Sequence, residues 1–211
     1  MFSFYNNGKS SPMGYSQTLE NGLKISNFAL FSSVADAIEL CLFRDGKESR
    51  FAMRRTDDIW HVAIEGVELN DEYAFRITGK NDRTLANPQK LMLDPYAKAV
   101  THKPDLSSPE ARSIFLLNDG RDNAAVAPKG RMVDESFDWN GDCKPSIPWA
   151  QTIVYELNVK GFSQLNSRIP ENIRGTYAAL AHPENIAYFK SLGITSLELL
   201  PVNFFIDEPH L

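Results

Sequence analysis

Glu156 is the carboxylate most tempting for acid–base or nucleophilic chemistry, because it interrupts the apolar run Ile153-Val154-Tyr155-Glu156-Leu157. The simpler account is a strand carboxylate paired to a neighbour inside the fold. A second acidic group comprises Asp134, Glu135, Asp138 and Asp142, beside an Asn140-Gly141 step that would suit a calcium loop. Its spacing lacks the alternating ligands and closing Glu of an EF-hand, so a solvated connector is the reading. His61, His102, His182 and His210 are scattered without ligand spacing, which argues against zinc. Cys41 and Cys143 lie far apart and form no metal or redox motif. There is no phosphate-cradling Gly-rich loop and no Gly-x-Ser-x-Gly nucleophile turn. The residues therefore predict no metal and no cofactor.

Composition narrows the classes further. Lys+Arg number 22 against 27 Asp+Glu, a formal net charge of −5 over 211 residues. An acidic chain of pI near 5.4 has no net positive field for phosphates, so a nucleic-acid partner is not expected. No apolar run approaches the roughly 20 residues needed to cross a bilayer, so no membrane partner is expected either. Thirteen Phe, seven Tyr and three Trp spread along the chain argue against disorder. The opening MFSFYNNGKSSPMGY lacks a secretion signal, and with two unpaired cysteines the expectation is a reduced, cytoplasmic protein.

The elements that would carry any site fall into three stretches. Over residues 1–100, Phe28–Phe31, Ile38–Phe43, Ile59–Ile64 and Tyr73–Ile77 read as short strands with turn signals such as Asp45-Gly46 between them. Trp60, Val62 and Ile64 share one face, as do Tyr73, Phe75 and Ile77. That alternation predicts half-buried antiparallel strands of an immunoglobulin-like β-sandwich. Residues 101–150 carry Pro104, Pro109, Pro128, Pro145 and Pro148 and read as an extended connector, with room for a short hidden strand or helix. Residues 151–211 change again. Thr152–Leu157 is a buried strand, 161–181 a loop, Pro183 opens a helix that Gly193 closes, and Ile194–Leu200 is a second strand. This βαβ order predicts a parallel pair, the start of a layered sheet or of a TIM-type (β/α)₈ barrel of roughly 250 residues. The chain then reads as the front of something longer.

These residues resemble a known family. Ile153-Val154-Tyr155-Glu156-Leu157-Asn158-Val159-Lys160-Gly161-Phe162 looks like the first barrel strand of isoamylase-type family 13 glycoside hydrolases. Arg174-Gly175-Thr176-Tyr177 and Leu192–Val202 follow in the family's order, and the likeness is greatest to bacterial glycogen debranching enzymes. Asn27–Ser32, Asp58–His61, Asn87–Leu91, Asp94–Ala97 and Arg121–Lys129 fit the same group. The resemblance implies an N-terminal family 48 carbohydrate-binding-like module followed by the truncated first βαβ of an amylase-type barrel.

The implied parent activity is hydrolysis of α-1,6 branch linkages in glycogen or limit dextrin by a retaining pair of carboxylates roughly 5 Å apart. In the family those carboxylates follow the fourth and fifth barrel strands, which lie beyond this chain, so no catalytic residue is assigned. Glu156 is not on a strand that carries them, and Tyr155 reads as a packing residue. The chain departs from the family at Asn158, where His is usual. Trp60 and Tyr73 are the candidate carbohydrate-binding rings, with Trp60 expected to pack inward because it shares a face with Val62 and Ile64. Ala74 stands where glycogen-binding relatives of the module carry lysine, and the turn Gly79-Lys80-Asn81-Asp82 lacks their tryptophan. Positioning the barrel is then the module's expected job, with glycogen or a branched α-glucan and the rest of the barrel as partners. The competing expectation is a non-catalytic glucan-binding or assembly module from a shortened gene. A starch-debranching isoamylase is a third.

Overall fold

The computed structural model describes residues 1–79 and 86–206. Two compact units emerge, residues 1–136 together with 205–206, and residues 137–204.

The first unit is a β-sandwich. One sheet runs in the order β1 (Ser3–Asn6), β7 (Ile59–Glu65), β3 (Leu23–Phe31), β2 (Gly14–Glu20), with β6 (Arg54–Thr56) also on β7. The other runs β10 (Gly130–Arg131), β8 (Glu72–Thr78), β4 (Ala37–Arg44), β5 (Lys47–Ala52), with β9 (Leu91–Met92) also on β8. Every pairing in both sheets is antiparallel. Asp45 and Gly46, both at positive φ (52° and 73°), close the β4–β5 hairpin as the two-residue turn requires. Between the sheets lie Phe28, Leu30, Leu40, Leu42, Trp60, Val62, Ile64, Tyr73 and Phe75, the alternating sets read from the sequence.

The strands are not half-buried, however. β3, β4, β7 and β8 each carry four or more consecutive positions dominated by buried residues, so their outward faces are covered as well. On the first sheet the cover is the N-terminal segment. Asn27 is held to it by Lys9 N–H donating to Asn27 Oδ1 (2.7 Å) and by Asn27 Nδ2 donating to Lys9 O (2.9 Å). His61 Nδ1 donates to Asn7 O at 2.6 Å, which leaves Nε2 to accept from the Thr56 hydroxyl at 2.9 Å. Gly8 runs so close that a Cβ would lie 2.7 Å from the carbonyl carbon of Val62, and its φ is +75°. On the second sheet the cover is residues 87–127, which bury Cys41, Phe43, Ala74 and Leu91 beneath Phe115, Ala124 and Ala127.

The expected connector is therefore more structured than a plain tether. It holds α1 (Pro109–Ser113), whose N-cap Ser108 accepts from Ala111 N, and β10, whose Gly130 pairs with Tyr73.

In the second unit β11 (Val154–Leu157) and β12 (Ser196–Leu199) form a two-stranded parallel sheet, and α4 (Pro183–Ser191) lies between them in sequence. Pro183 sits in the first turn of α4, and Gly193 follows its C-cap Leu192. The stretch read as a loop contains two short helices, α2 (Val159–Ser163) and α3 (Tyr177–Leu180). Asn158 caps α2 by accepting from Gly161 N at 2.8 Å, a local signal stronger than the glycine that argued for a loop. Phe189 of α4 packs on Tyr155 (ring centroids 5.7 Å) and on Phe162 (5.0 Å). Two strands do not by themselves make a barrel. Among the described residues no helix is long and apolar enough to cross a membrane.

Candidate functional site

Neither ring expected to meet carbohydrate offers a free face. Trp60 is 6% exposed and its indole N–H donates to Ser32 O at 3.1 Å. Tyr73 is 1% exposed and its hydroxyl donates to Asp94 Oδ2 at 2.8 Å. Burial, with the Asp94 carboxylate beside it, drives the Tyr73 phenol well above its usual range. Burial likewise raises Asp94, against the pull of the Tyr96 amide and the Tyr73 hydroxyl. Both aromatic residues belong to the same inter-sheet core, so a sugar could stack on either only by unpacking it. Ala74, at the position of the missing lysine, is fully buried under the 87–127 cover. Lys80, Asn81 and Asp82 of the turn singled out beside it lie outside the described residues.

The sequence motifs meet as locks within this unit. Arg76, 1% exposed, donates from Nε and Nη2 to both oxygens of Glu48 (2.9 and 3.1 Å), from Nη2 to both oxygens of Asp122 (3.0 and 2.9 Å), and from Nη1 to Pro88 O (2.9 Å). Burial alone would raise the Glu48 carboxyl, but hydrogen bonds from Arg76, Cys41 and Arg50 outweigh it and hold it at about 2. Lys90, 2% exposed, donates to Ile114 O (2.7 Å) and Arg121 O (2.6 Å). Leu91 N–H donates to Asn123 Oδ1 (2.7 Å). The segments Asn87–Leu91 and Arg121–Lys129, distant in sequence, are thus two sides of one clamp. Arg76 escaped notice because, on a strand, an Arg opposite a core face reads as solvent-facing. Only the partner carboxylates Glu48 and Asp122 reveal otherwise.

A groove of about 750 Å³ beside the β4–β5 turn is lined by charged groups including Arg44, Asp71, Glu72 and Lys129. Arg44 and Asp71 satisfy each other there in a two-pronged pair at 2.8 and 2.6 Å.

The second unit holds the remaining candidates. Ligand sites on parallel sheets form at the carboxyl ends of the strands. Here those ends lead into Asn158 and into Pro201-Val202-Asn203. Tyr155 is half-buried against Phe162 and Phe189, as a packing residue should be. Glu156 is exposed and lies directly abreast of Glu198 in the parallel register. Among the described residues neither carboxylate has a hydrogen bond or ion pair, and no group of three or more His, Cys, Asp or Glu could hold a metal. Asp134, Glu135, Asp138 and Asp142 do not converge on such a site, and Lys98 pairs with Glu135.

Residues 12–97 match the model of carbohydrate-binding module 48, the isoamylase N-terminal domain. The whole chain is 61% identical to the glycogen operon protein GlgX homolog of Haemophilus influenzae, covering 32% of that protein. It is 46% identical to the glycogen debranching enzyme of Yersinia enterocolitica over 97% of this chain and 31% of the relative. The chain therefore spans about a third of the length of these curated relatives. In fold it resembles type I pullulanase from Bacillus subtilis, solved with maltose, at a TM-score of 0.66 and 23% identity over 96% of this chain and 25% of that one. The glycogen-degrading pneumococcal virulence factor SpuA gives a TM-score of 0.64 at 20% identity, over 93% of this chain and 20% of that one.

Proposed function

We propose that residues 12–97, which match the model of carbohydrate-binding module 48, are that module in the N-terminal part of a bacterial glycogen debranching enzyme. The observation that carries this reading is the 61% identity to the Haemophilus influenzae homolog, which runs through all of this chain. The parent reaction is hydrolysis of α-1,6-glucosidic branch linkages in glycogen or limit dextrin. It proceeds with retention on two carboxylates supplied by later strands, without an organic cofactor and in the cytoplasm. Residues 1–100 act as the module, 101–150 as the connector and 151–211 as the opening βαβ of the barrel.

The sandwich in this reading positions the catalytic part rather than holding glucan on its own. One outer sheet face is closed by the N-terminal segment and the other by residues 87–127, most of them connector, and Trp60 and Tyr73 serve the core between the sheets. That closure weighs against an independent glucan-binding module from a shortened gene.

The test is to assay phosphorylase limit dextrin with the longer polypeptide that contains this segment and with the 211-residue chain. Short linear oligosaccharides should be released by the longer protein alone, with the α-anomer formed first. A longer protein without α-1,6 activity would sink the reading. Tight retention of the short chain on glycogen beads would favour the binding module.

A further inference from the structure

We infer that Asn140 is a site of spontaneous covalent modification, at which the backbone closes on the side chain and converts asparagine to isoaspartate and aspartate. The chemistry belongs to an Asn-Gly step. The Gly nitrogen attacks the Asn Cγ, and a new C–N bond forms as the bond to the side-chain nitrogen breaks. Ammonia leaves, carrying the proton from the Gly nitrogen. Water then opens the five-membered imide at either carbonyl, giving aspartate or the isomer whose backbone runs through Cγ. Glycine makes the step accessible, since no Cβ crowds the attacking nitrogen.

The chain has three such steps, Asn7-Gly8, Asn21-Gly22 and Asn140-Gly141. All three asparagines are exposed, so access to water does not rank them. The backbone does. Ring closure needs the Asn–Gly peptide to swing over the side chain, so it proceeds from conformations in which the local structure has opened. Asn7-Gly8 is held hardest. Asn7 O accepts from His61 Nδ1 at 2.6 Å, and the attacking group itself, Gly8 N–H, donates to Asn6 Oδ1 at 2.7 Å. Asn21-Gly22 joins β2 to β3 with φ of 51° and 82°, and opening it disturbs a ladder paired from Glu20 with Leu23 to Gly14 with Ala29. Asn140-Gly141 repeats those left-handed angles, 48° and 77°, without strands to hold them. One backbone bond closes its turn, Asp142 N–H donating to Trp139 O at 2.7 Å, and Asn140 N–H donates to Asp138 Oδ1 at 2.8 Å. Every residue from 134 to 151 is exposed, and none from 132 to 148 lies in a helix or strand. This turn therefore opens at the lowest cost of the three. Either product sets a new carboxylate beside Asp138 and Asp142, and isoaspartate also lengthens the backbone within the turn.

The test is to hold the 211-residue chain in mildly alkaline buffer for days and map its digest by mass spectrometry, with isoaspartyl and aspartyl peptides separated. Conversion at Asn140 should run at least ~10-fold ahead of Asn21, with Asn7 slowest. Both isomers should appear at Asn140, as opening of an imide requires. In denaturant the three sites should converge to within about 3-fold, because the Asn-Gly chemistry is common to all and the folded backbone no longer ranks them. Gly141→Ala should cut isoaspartate at Asn140 at least ~5-fold by crowding the attacking nitrogen, whether or not the variant holds its turn. Asn21 or Asn7 keeping pace with Asn140 in the folded chain overturns the proposal. So does aspartate alone at Asn140, which would mean direct hydrolysis of the side chain, and so does isoaspartate undiminished in Gly141→Ala. A lead of Asn140 that persists in denaturant would assign the ranking to neighbouring residues and overturn its structural basis.

Discussion

The two units treat their charged residues in opposite ways. In residues 1–136 the sheets are covered on both faces, and the charges trapped under the cover are matched group by group, as with Arg76 against Glu48 and Asp122. In residues 137–204 the helices cover one face of a two-stranded sheet, and Glu156 and Glu198 stand unpaired on the other. A self-sufficient domain completes its polar pairings internally. The second unit leaves the Glu156–Glu198 carboxylates open, together with apolar groups such as Val154 and Trp149, which are 51% and 89% exposed. The pattern of pairing thus separates the two units.

Hydrogen exchange on the 211-residue chain offers the largest contrast. Amides of β11 and β12 should exchange at least ~100-fold faster than those of β3, β4, β7 and β8, because two strands with one open face open locally at little cost. Equal protection in a monomer would erase the distinction between the units. Next in size is Arg76→Ala, which leaves Glu48 and Asp122 without their shared partner. It should cost about 3–5 kcal/mol in urea unfolding of the sandwich, and a loss below about 1 kcal/mol would show that the clamp is not what fixes the cover.

Acid sharpens the same point. The folded carboxyl of Glu48 lies at about 2, below its ordinary 4.5, so its contribution is present above pH 4.5 and is lost as pH falls toward 2. Glu48, with a side chain 20% exposed, should supply about 2 kcal/mol at neutral pH. The stability gap between the parent chain and Glu48→Gln should therefore shrink between pH 4.5 and 2. A gap independent of pH would assign the effect to packing. The smallest effect belongs to the exposed Arg168–Glu184 pair, where Arg168→Ala should change stability by less than about 1 kcal/mol. A larger loss would mean that this unit, too, relies on its ion pairs.

The long central strands and α4 were legible because their apolar positions keep a strict period and their ends carry Asp45-Gly46, Pro183 and Gly193. The double burial of the sheets was not legible. It depends on irregular segments, residues 6–12 and 87–127, whose seating is fixed by single side chains such as Asn27, His61, Arg76 and Lys90 rather than by any period. Trp60 shares its face with Val62 and Ile64 and lies in the core, whereas the burial of Tyr73 also rests on Asp94, 21 residues on, which takes the bond from its hydroxyl. The carboxylate pair was hidden too, since register between strands 42 residues apart is a tertiary fact.

The clamp has a consequence for the chain's covalent continuity. Residues 103–110 are largely exposed, yet the stretches on either side are pinned to each other, Lys90 and Leu91 upstream bonding Ile114, Arg121 and Asn123 downstream, while Asp122 is held by Arg76 of β8. A protease cutting near Asp105 would sever the backbone without freeing either end. The nicked molecule would elute as one particle and part into two bands only in denaturant.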